Sequence, residues 1–327
     1  MTGAVRASCR LAVSAQLPDP ACVERLRAAG HEVIARDDPE PASPEALYSL
    51  AKGCDGLLCV AVDRIDGPFL DACPSIRWVA NFGVGVDNVD LAAARARGVR
   101  VTNTPAVLTE AVADHCVGLV LAAARRIVEG DRLVRDGGWR GFQTDLLLGL
   151  DLTGATLGLV GLGAIGQAVA RRLVGGFGMR GLYTQRHARP DLESSLGLEY
   201  AALPELLGRS DVITVHVPLT EETRGLIAAP ELALLRDGAV IVNVARGPVF
   251  DEQALVAALA TGRIRAGLDV FADEPIGADH PLCALPNVVL TPHIASAAHG
   301  ARSAMGHLAV DNLLALAGGR EPPTAVV

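Results

Sequence analysis

The sequence predicts an α/β protein with parallel sheets in two units, and three observations predict it. Short apolar runs of the buried-strand type alternate with amphipathic helical stretches along most of the chain, the pattern of strands joined by crossover helices. One such run, Thr156–Val160, ends in Gly161-x-Gly163-x-x-Gly166, and a helical stretch follows with Ile165, Val169 and Leu173 on one face. The 327 residues are enough for about two cores.

Taken in order, Cys9–Ser14 and His31–Ile34 read as strands around an amphipathic helix near Ala21–Ala29. Asp55–Val60 and Ile76–Asn81 are two more buried strands, and Val99–Thr102 is a short one. Helices fit near Pro44–Lys52, Gly67–Ala72 and Leu91–Arg97. The first hundred residues therefore form one open α/β unit. Thr104-Pro105 breaks the pattern. Val107–Ile127 is then a long, mostly apolar helical stretch whose length points to burial between domains or subunits. Leu133–Gly149, with Gly137-Gly138-Trp139, reads as loop. In the second unit, strands are expected at Gly181–Thr184, Asp211–Val215, Ala239–Val244, Ala266–Val270 and Val288–Thr291. Helices are expected at Pro204–Gly208, Pro230–Leu235 and Glu252–Thr261, giving a doubly wound nucleotide-binding arrangement. Ala301–Leu316 reads as one helix without a sheet of its own, so it should return to the first unit.

Composition excludes several classes. The net charge is −8, with 20% charged residues, which is no footprint for nucleic acid. Lys52 is the sole lysine among 29 basic residues, a skew of coding bias rather than function. Seven scattered cysteines without CxxC or metal-like Cys/His spacing read as reduced, buried thiols, so no metal is expected. Arg6 and Arg10 precede an apolar run, Leu11–Ala15, too short for a secretion signal. Val117–Ala124, bracketed by His115 and Arg125, is too short to span a bilayer. The expected setting is the cytoplasm, without membrane attachment.

The glycines have separate tasks. Gly161 allows a sharp turn, Gly163 lets the backbone approach a pyrophosphate, and Gly166 lets helix and strand pack closely. The diphosphate would rest on the N–H groups of the Gly161, Leu162, Gly163, Ala164, Ile165, Gly166 turn. Three polar residues follow later strands: Arg246, Glu274 and His293. Ligands of such sheets bind at carboxyl ends of strands. A histidine exchanges protons near neutral pH, a paired carboxylate fixes its tautomer, and an arginine binds a carboxylate in two-point geometry. With a nicotinamide, that set suits hydride transfer to a 2-keto acid. Pro218 ends the strand before it, turning the Val217 and Pro218 carbonyls toward a cofactor. Asn81-Phe-Gly-Val-Gly-Val-Asp87 could hold an anion on consecutive N–H groups or be a plain glycine turn.

These stretches together resemble the D-isomer-specific 2-hydroxyacid dehydrogenase family, over nearly the whole chain. The motifs are NFGVGVDNVD from 81, VLTEAVADHCVGLVLAAAR from 107, GATLGLVGLGAIGQAVARRL from 154, HVPLTEETRGLI from 216, VNVARGPVFDEQAL from 242, GLDVFADEP from 267 and LTPHIAS from 290. Within the family the chain is most similar to the glyoxylate/hydroxypyruvate reductase branch. The resemblance implies two Rossmann-like or flavodoxin-like parallel-sheet domains with the active site in the cleft between them. A substrate domain of residues 1–103 would be completed by 293–327, and 104–292 would be the NAD(P)-binding domain. Arg246 would anchor substrate, His293 would be the acid–base residue, and Glu274 would pair with it. Val60, Val84 and Gly85 would face the substrate. Val217, Pro218, Thr223, Val244, Ala245, Asp269, His293 and Ala295 would line the cofactor, Asp269 at the nicotinamide end. A homodimer through the cofactor domains is implied, and Trp139 or Phe142 is a candidate to close a partner's site, core or loop packing being the other reading.

One departure bears on the cofactor. The second strand of an NAD-type fold usually ends in an acid that binds ribose hydroxyls. Here Gln185-Arg186-His187 follows Thr184. Arg186, helped by Thr184, Gln185 or His187, suits a 2′-phosphate, so Gln185, Arg186 and His187 are candidate cofactor residues and NADP(H) is expected ahead of NAD(H). The apolar Cys59–Val62 stretch and the lack of an added basic cluster favour a small, non-phosphorylated 2-keto acid, reduced to the D-2-hydroxy acid. Other D-2-hydroxyacid oxidations, sugar-acid 2-ketoreduction and phosphite oxidation are alternatives. Formate oxidation fits less well, because those relatives lack the Glu–His pair. A dinucleotide-sensing, corepressor-like scaffold is the alternative outside enzymes.

Overall fold

In a computed structural model, which describes residues 8–38 and 40–327, two all-parallel sheets organise the chain. The chain divides into Met1–Leu108 with Ala297–Val327, and Thr109–Ser296. Arg6, weighed above as part of a leader, lies outside the described residues.

The first unit contains β1 (Arg10–Val13), α1 (Ala21–Ala28), β2 (Glu32–Ala35), α2 (Pro44–Ala51), β3 (Gly56–Val60), α3 (Gly67–Ala72), β4 (Trp78–Phe82), α4 (Leu91–Ala96) and β5 (Arg100–Thr102). Its sheet order is β2-β1-β3-β4-β5. β3 and β4 are buried runs, as a sheet covered on both faces requires. Ser43, Asp66 and Asp90 cap α2, α3 and α4 by accepting from Ala46, Phe69 and Ala93 N–H groups, which ends each preceding loop at a defined residue.

The second unit begins with α5 (Thr109–Ala124), α6 (Ile127–Arg135), β6 (Thr156–Val160) and α7 (Ala164–Ala170), which runs on as a π turn over Arg171–Gly176. It continues with β7 (Arg180–Thr184), α8 (Pro190–Leu196), β8 (Leu198–Tyr200), α9 (Leu203–Arg209), β9 (Val212–Val215), α10 (Ala229–Ala233), β10 (Val240–Asn243), α11 (Glu252–Ala260), β11 (Arg265–Leu268) and β12 (Val288–Leu290). The order is β12-β11-β10-β9-β6-β7-β8. The chain direction across the sheet reverses between β6 and β9, the switch point at which such sheets bind ligands. α12 (His299–Ala317) then returns to the first unit, beside β4 and α1.

Three local readings are corrected. The single helix expected over Val107–Ile127 breaks at Arg126, whose φ of 55° is left-handed, a conformation that costs a non-glycine residue and ends helical hydrogen bonding. α6 then occupies the start of the stretch read as loop from Leu133. The helix α8 and strand β8 lie where no element was expected; β8 is only three residues long and has one buried residue. The length of α5 also serves its own unit: Val112, Cys116, Leu119, Val120 and Ala123 are buried, and the helix lies against β10, β11 and β12.

The fold also assembles a group invisible in linear spacing. Asp19, Cys22 and His307 bring their ligand atoms within 4.8 Å of one another. The Arg25 guanidinium occupies that cluster, 2.9 Å from His307 Nδ1 and 2.5 Å from Asp311 Oδ1. The network fastens α1 to α12. Burial raises the Cys22 thiol to about 11. All seven cysteines are free, and all but Cys283 are buried.

Two glycines of the 161–166 turn give opposite predictions. A Cβ at Gly166 would collide with the Gly161 carbonyl, a backbone atom that cannot yield, whereas one at Gly163 meets nothing within 4 Å. Gly166→Ala should lower unfolding free energy by about 1–3 kcal/mol, and Gly163→Ala should leave it within about 0.5 kcal/mol. Urea unfolding of both variants checks this; equal losses would show that the turn is not packed as described.

Candidate active site

The carboxyl edge of the second sheet carries the candidate residues in strand order. Asn243, Leu268 and Leu290 are in register across β10, β11 and β12. Arg246 follows the first strand, Asp269 and Glu274 the second, and His293 the third. The 161–166 turn follows β6, Val217 and Pro218 follow β9, and Arg186 follows β7. Because the strands are parallel and adjacent, these loops leave one edge together.

His293 and Glu274 meet. His293 Nδ1 lies 2.6 Å from Glu274 Oε2, and Glu274 Oε1 accepts from the Phe271 N–H at 2.9 Å. The pairing selects the Nδ1–H tautomer and leaves Nε2 for exchange. His293 has a φ of 53°, left-handed and unfavourable for a histidine, so something must hold it there.

Asp269 does so. It is fully buried. Its Oδ1 accepts from the Thr291 hydroxyl at 2.6 Å and the Ile294 N–H at 2.9 Å, and its Oδ2 accepts from the Ala295 N–H at 2.8 Å. His115 Nε2, from α5, is 3.3 Å from Oδ1. The His293 N–H donates to the Asp269 backbone carbonyl at 2.9 Å. Burial alone would raise the Asp269 carboxyl, but hydrogen bonds from His115, Thr291, Ile294 and Ala295 outweigh it and hold it below the ordinary carboxylate range. His115 and Thr291 were missed from sequence, and Asp269 gains a fastening role there.

Arg246 is placed by a buried amide. Asn243 Oδ1 accepts from the Ala245 N–H at 3.0 Å, and Asn243 Nδ2 donates to the Arg246 carbonyl at 2.9 Å. One Arg246 NH group donates to the Ala245 carbonyl at 2.8 Å. Gly247 lies so close to the Phe271 backbone that no Cβ fits, which packs the Arg246 loop against the segment leading to Glu274. That segment has a second clamp: Glu252 accepts from the Ala272 N–H at 2.9 Å and pairs with His280 Nε2 at 3.2 Å.

The glycine turn fits a dinucleotide. Gly161 has a φ of 98° and lies against the His216 carbonyl and Val217, while the space over Gly163 is open. Gly163 and Ala164 are exposed, Ile165 is half-buried, and the Leu162 side chain belongs to the core. Burial pushes the His216 imidazole down to about 3, so it is neutral at neutral pH. Its Nε2 lies 3.0 Å from Thr214 Oγ1, and its buried Nδ1 has no hydrogen-bond partner among the described residues. An orphaned polar atom beside an open glycine turn is a fit for a polar ligand group. Thr223 is committed to its own loop, donating to the Pro218 carbonyl at 2.6 Å and accepting from the Thr220 N–H at 2.8 Å. Val217 and Ala245 are half-buried, Val244 and Ala295 buried, and Pro218 exposed. Gln185 Nε2 donates to the His187 carbonyl at 2.7 Å, and Arg186 and His187 are exposed.

In the first unit, the 83–85 loop has its carbonyls committed inward: Gly83 to the Thr104 N–H, Val84 to Asn103 Nδ2, and Gly85 to Asn81 Nδ2. Val60 donates its N–H to Asp63 at 2.8 Å, and Asn88 Nδ2 donates to the Val60 and Asp63 carbonyls. Asn81, Asn88, Asn103 and Asp63 are the supports that sequence reading missed.

A sheet edge with a phosphate-type turn at the switch point and a proton-exchanging pair farther along is that of a dinucleotide-dependent oxidoreductase. The NAD-binding domain of the D-isomer specific 2-hydroxyacid dehydrogenases matches residues 117–295. A glyoxylate reductase from Korarchaeum cryptofilum is 48% identical over 291 residues, 88% of this chain and 87% of that one. The crystal structure of the TT0316 protein from Thermus thermophilus is similar at a TM-score of 0.90 and 48% identity, over 97% of this chain and 100% of that one. An NADPH-dependent glyoxylate/hydroxypyruvate reductase from Sinorhizobium meliloti, solved with NADP and malonate, is similar at a TM-score of 0.84 and 39% identity, over 98% and 97%. The chain belongs to the D-isomer specific 2-hydroxyacid dehydrogenase family, and it is an NAD(P)-dependent oxidoreductase. Among the described residues, no helix is long and apolar enough to cross a membrane.

The Asp269 network predicts an acid limb in stability. Its folded carboxyl is depressed, so its contribution is whole above the unfolded value of about 3.9 and is lost as pH falls through the lower folded value. Asp269→Asn should cost about 2–4 kcal/mol at pH 7 and should flatten the loss below pH ~4. Urea midpoints from pH 3 to 7 for both proteins test this; parallel curves would refute it.

Proposed function

We propose that this enzyme reduces a small, non-phosphorylated 2-keto acid of the glyoxylate or hydroxypyruvate type to its D-2-hydroxy acid, with NADPH as the preferred reductant. The observation that carries the reading is the 2.6 Å contact between His293 Nδ1 and Glu274, supported by relatives named glyoxylate reductase at 43–48% identity. A nicotinamide, when bound, supplies the hydride. His293 donates a proton from Nε2 to the carbonyl oxygen as it becomes the hydroxyl, and Glu274 stabilises the imidazolium that precedes donation. Arg246 binds the substrate carboxylate and polarises its carbonyl. Val60, Val84 and Gly85 belong to the substrate's surroundings in this reading. Asp269 orients the nicotinamide end through the loop it fastens, and Ala295 lies along the same cofactor. Arg186 receives the 2′-phosphate of NADPH.

We further propose a homodimer joined through the second unit. α6 has no buried residue, and Ile127, Val134, Trp139, Phe142 and Leu148 are all more than half exposed, Phe142 by 90%. Large apolar groups concentrated in 22 consecutive positions, 127–148, mark a surface that a second copy covers. Trp139 and Phe142 then serve that contact.

Two measurements test these readings. His293→Ala should lower kcat by about 10²–10⁴-fold while dinucleotide affinity is kept, and Arg246→Ala should raise the KM for the keto acid about 10-fold or more. Near-normal kinetics in either variant would displace the site, and NADH favoured over NADPH in wild type would overturn the cofactor assignment. Sedimentation equilibrium should give twice the 33.9 kDa chain mass; Phe142→Asp with Trp139→Asp should give monomer, and a monomeric wild type would end the dimer reading.

A further inference from the structure

The end of β7 lacks the acidic residue that ordinarily takes the ribose hydroxyls, yet an acid stands beside Arg186 from elsewhere in the chain. Glu222, in the loop after β9, has its Oε2 3.7 Å from an Arg186 NH group. That distance is a charge contact and too long for a hydrogen bond, so it leaves the guanidinium fork geometrically available to an anion with better oxygens.

Glu222 is presented by a wired turn. Its Oε2 accepts from the Thr220 hydroxyl at 2.6 Å. The Thr220 N–H donates to Thr223 Oγ1 at 2.8 Å, and that hydroxyl donates to the Pro218 carbonyl at 2.6 Å. The Thr220 hydroxyl first, then the Glu222 backbone N–H, with the Arg186 charge a lesser influence, hold the Glu222 carboxyl below the usual range, so it is an anion at neutral pH. Both members of the pair are exposed, at 77% and 70%, which makes them accessible to a ligand and indifferent to the core.

We infer that Arg186 and Glu222 form a two-residue selector for the adenosine ribose: Glu222 accepts the 2′-hydroxyl of NAD(H), and Arg186 binds the 2′-phosphate of NADP(H) once that phosphate has displaced Glu222. This rests on the assignment of Arg186 to the 2′-phosphate. The physical reason is competition. Two anions cannot share one exposed guanidinium without repulsion, so Glu222 opposes the phosphate and holds the preference for NADPH below what Arg186 alone would give. With a free 2′-hydroxyl in place of the phosphate there is no repulsion, and the same carboxylate becomes a hydrogen-bond acceptor.

The test compares wild type, Glu222→Gln and Arg186→Ala by calorimetric titration with adenosine 2′,5′-bisphosphate and with adenosine 5′-monophosphate, alongside KM for NADPH and NADH. Glu222→Gln should tighten the bisphosphate roughly threefold to tenfold and weaken the monophosphate and NADH by a similar factor. Thr220→Val, which frees the carboxylate but keeps its charge, should weaken the monophosphate while leaving bisphosphate binding weaker than in Glu222→Gln. If Arg186→Ala weakens the bisphosphate but Glu222→Gln alters neither ligand, the selector is wrong and the Arg186 assignment stands. If Arg186→Ala leaves the bisphosphate unchanged, both fall.

Discussion

One carboxylate, that of Asp269, holds the far end of the second sheet together. A fully buried anion is expensive, costing several kcal/mol in lost hydration. Here the cost is offset by the Thr291 hydroxyl, the Ile294 and Ala295 N–H groups and the His115 ring. All but His115 belong to the loop that carries His293. With the His293 N–H on the Asp269 backbone carbonyl, the network fixes the consecutive residues His293, Ile294 and Ala295, and His293 has the left-handed backbone that such a tight return demands. Removing the anion would leave the Ile294 and Ala295 N–H groups without the acceptors they have inside the fold. The Glu274 pairing then only has to orient a ring whose backbone is already set.

The same device recurs with neutral groups. Asn243 holds the turn before Arg246 by taking one N–H and giving one N–H. In the first unit Asn81, Asn88 and Asn103 engage carbonyls of the 60–63 and 83–85 loops. Asp63 completes that set: burial raises its carboxyl, while the Ser14 hydroxyl and the Val60 N–H pull the other way. Asn243, Asn81 and Asp63 reach backbone groups two to four residues away, while Asn88 and Asn103 tie together loops distant in sequence; both lock loops that have no sheet or helix to satisfy them.

What was legible in the sequence follows from which physics leaves a linear trace. Buried parallel strands such as VITV and VIVN are continuous apolar runs, and the glycines of the 161–166 turn are spaced by steric demands within one local segment. Both can be read directly. Arg246, Glu274 and His293 were legible as residue types at strand ends. Their supports were not, because an Asp that accepts from backbone N–H groups leaves no pattern in the residues that donate. The helix break at Arg126 was hidden for a related reason: the residue there is an arginine, and the usual punctuation of glycine or proline is absent. Glu222 had no reading of its own within the motif from 216, since its place beside Arg186, 36 positions earlier in the sequence, is a product of the β6-β9 switch and of nothing nearby in the chain.

The two ends of the sheet edge are therefore built on different principles. Toward β11 and β12 the loop carrying His293 is fastened by Asp269, a fully buried and multiply hydrogen-bonded carboxylate, which suits groups that must keep sub-ångström relations to a reacting carbon. Toward β7 the Arg186–Glu222 pair is exposed and held by one hydroxyl. Exposed charges there are worth little to stability, so under the proposed selector substitutions at that end would alter which dinucleotide is favoured without loosening the fold. If the proposed roles hold, chemistry and cofactor choice lie on one sheet but draw on separate reserves of stability, so that the second can change while the first stays fixed.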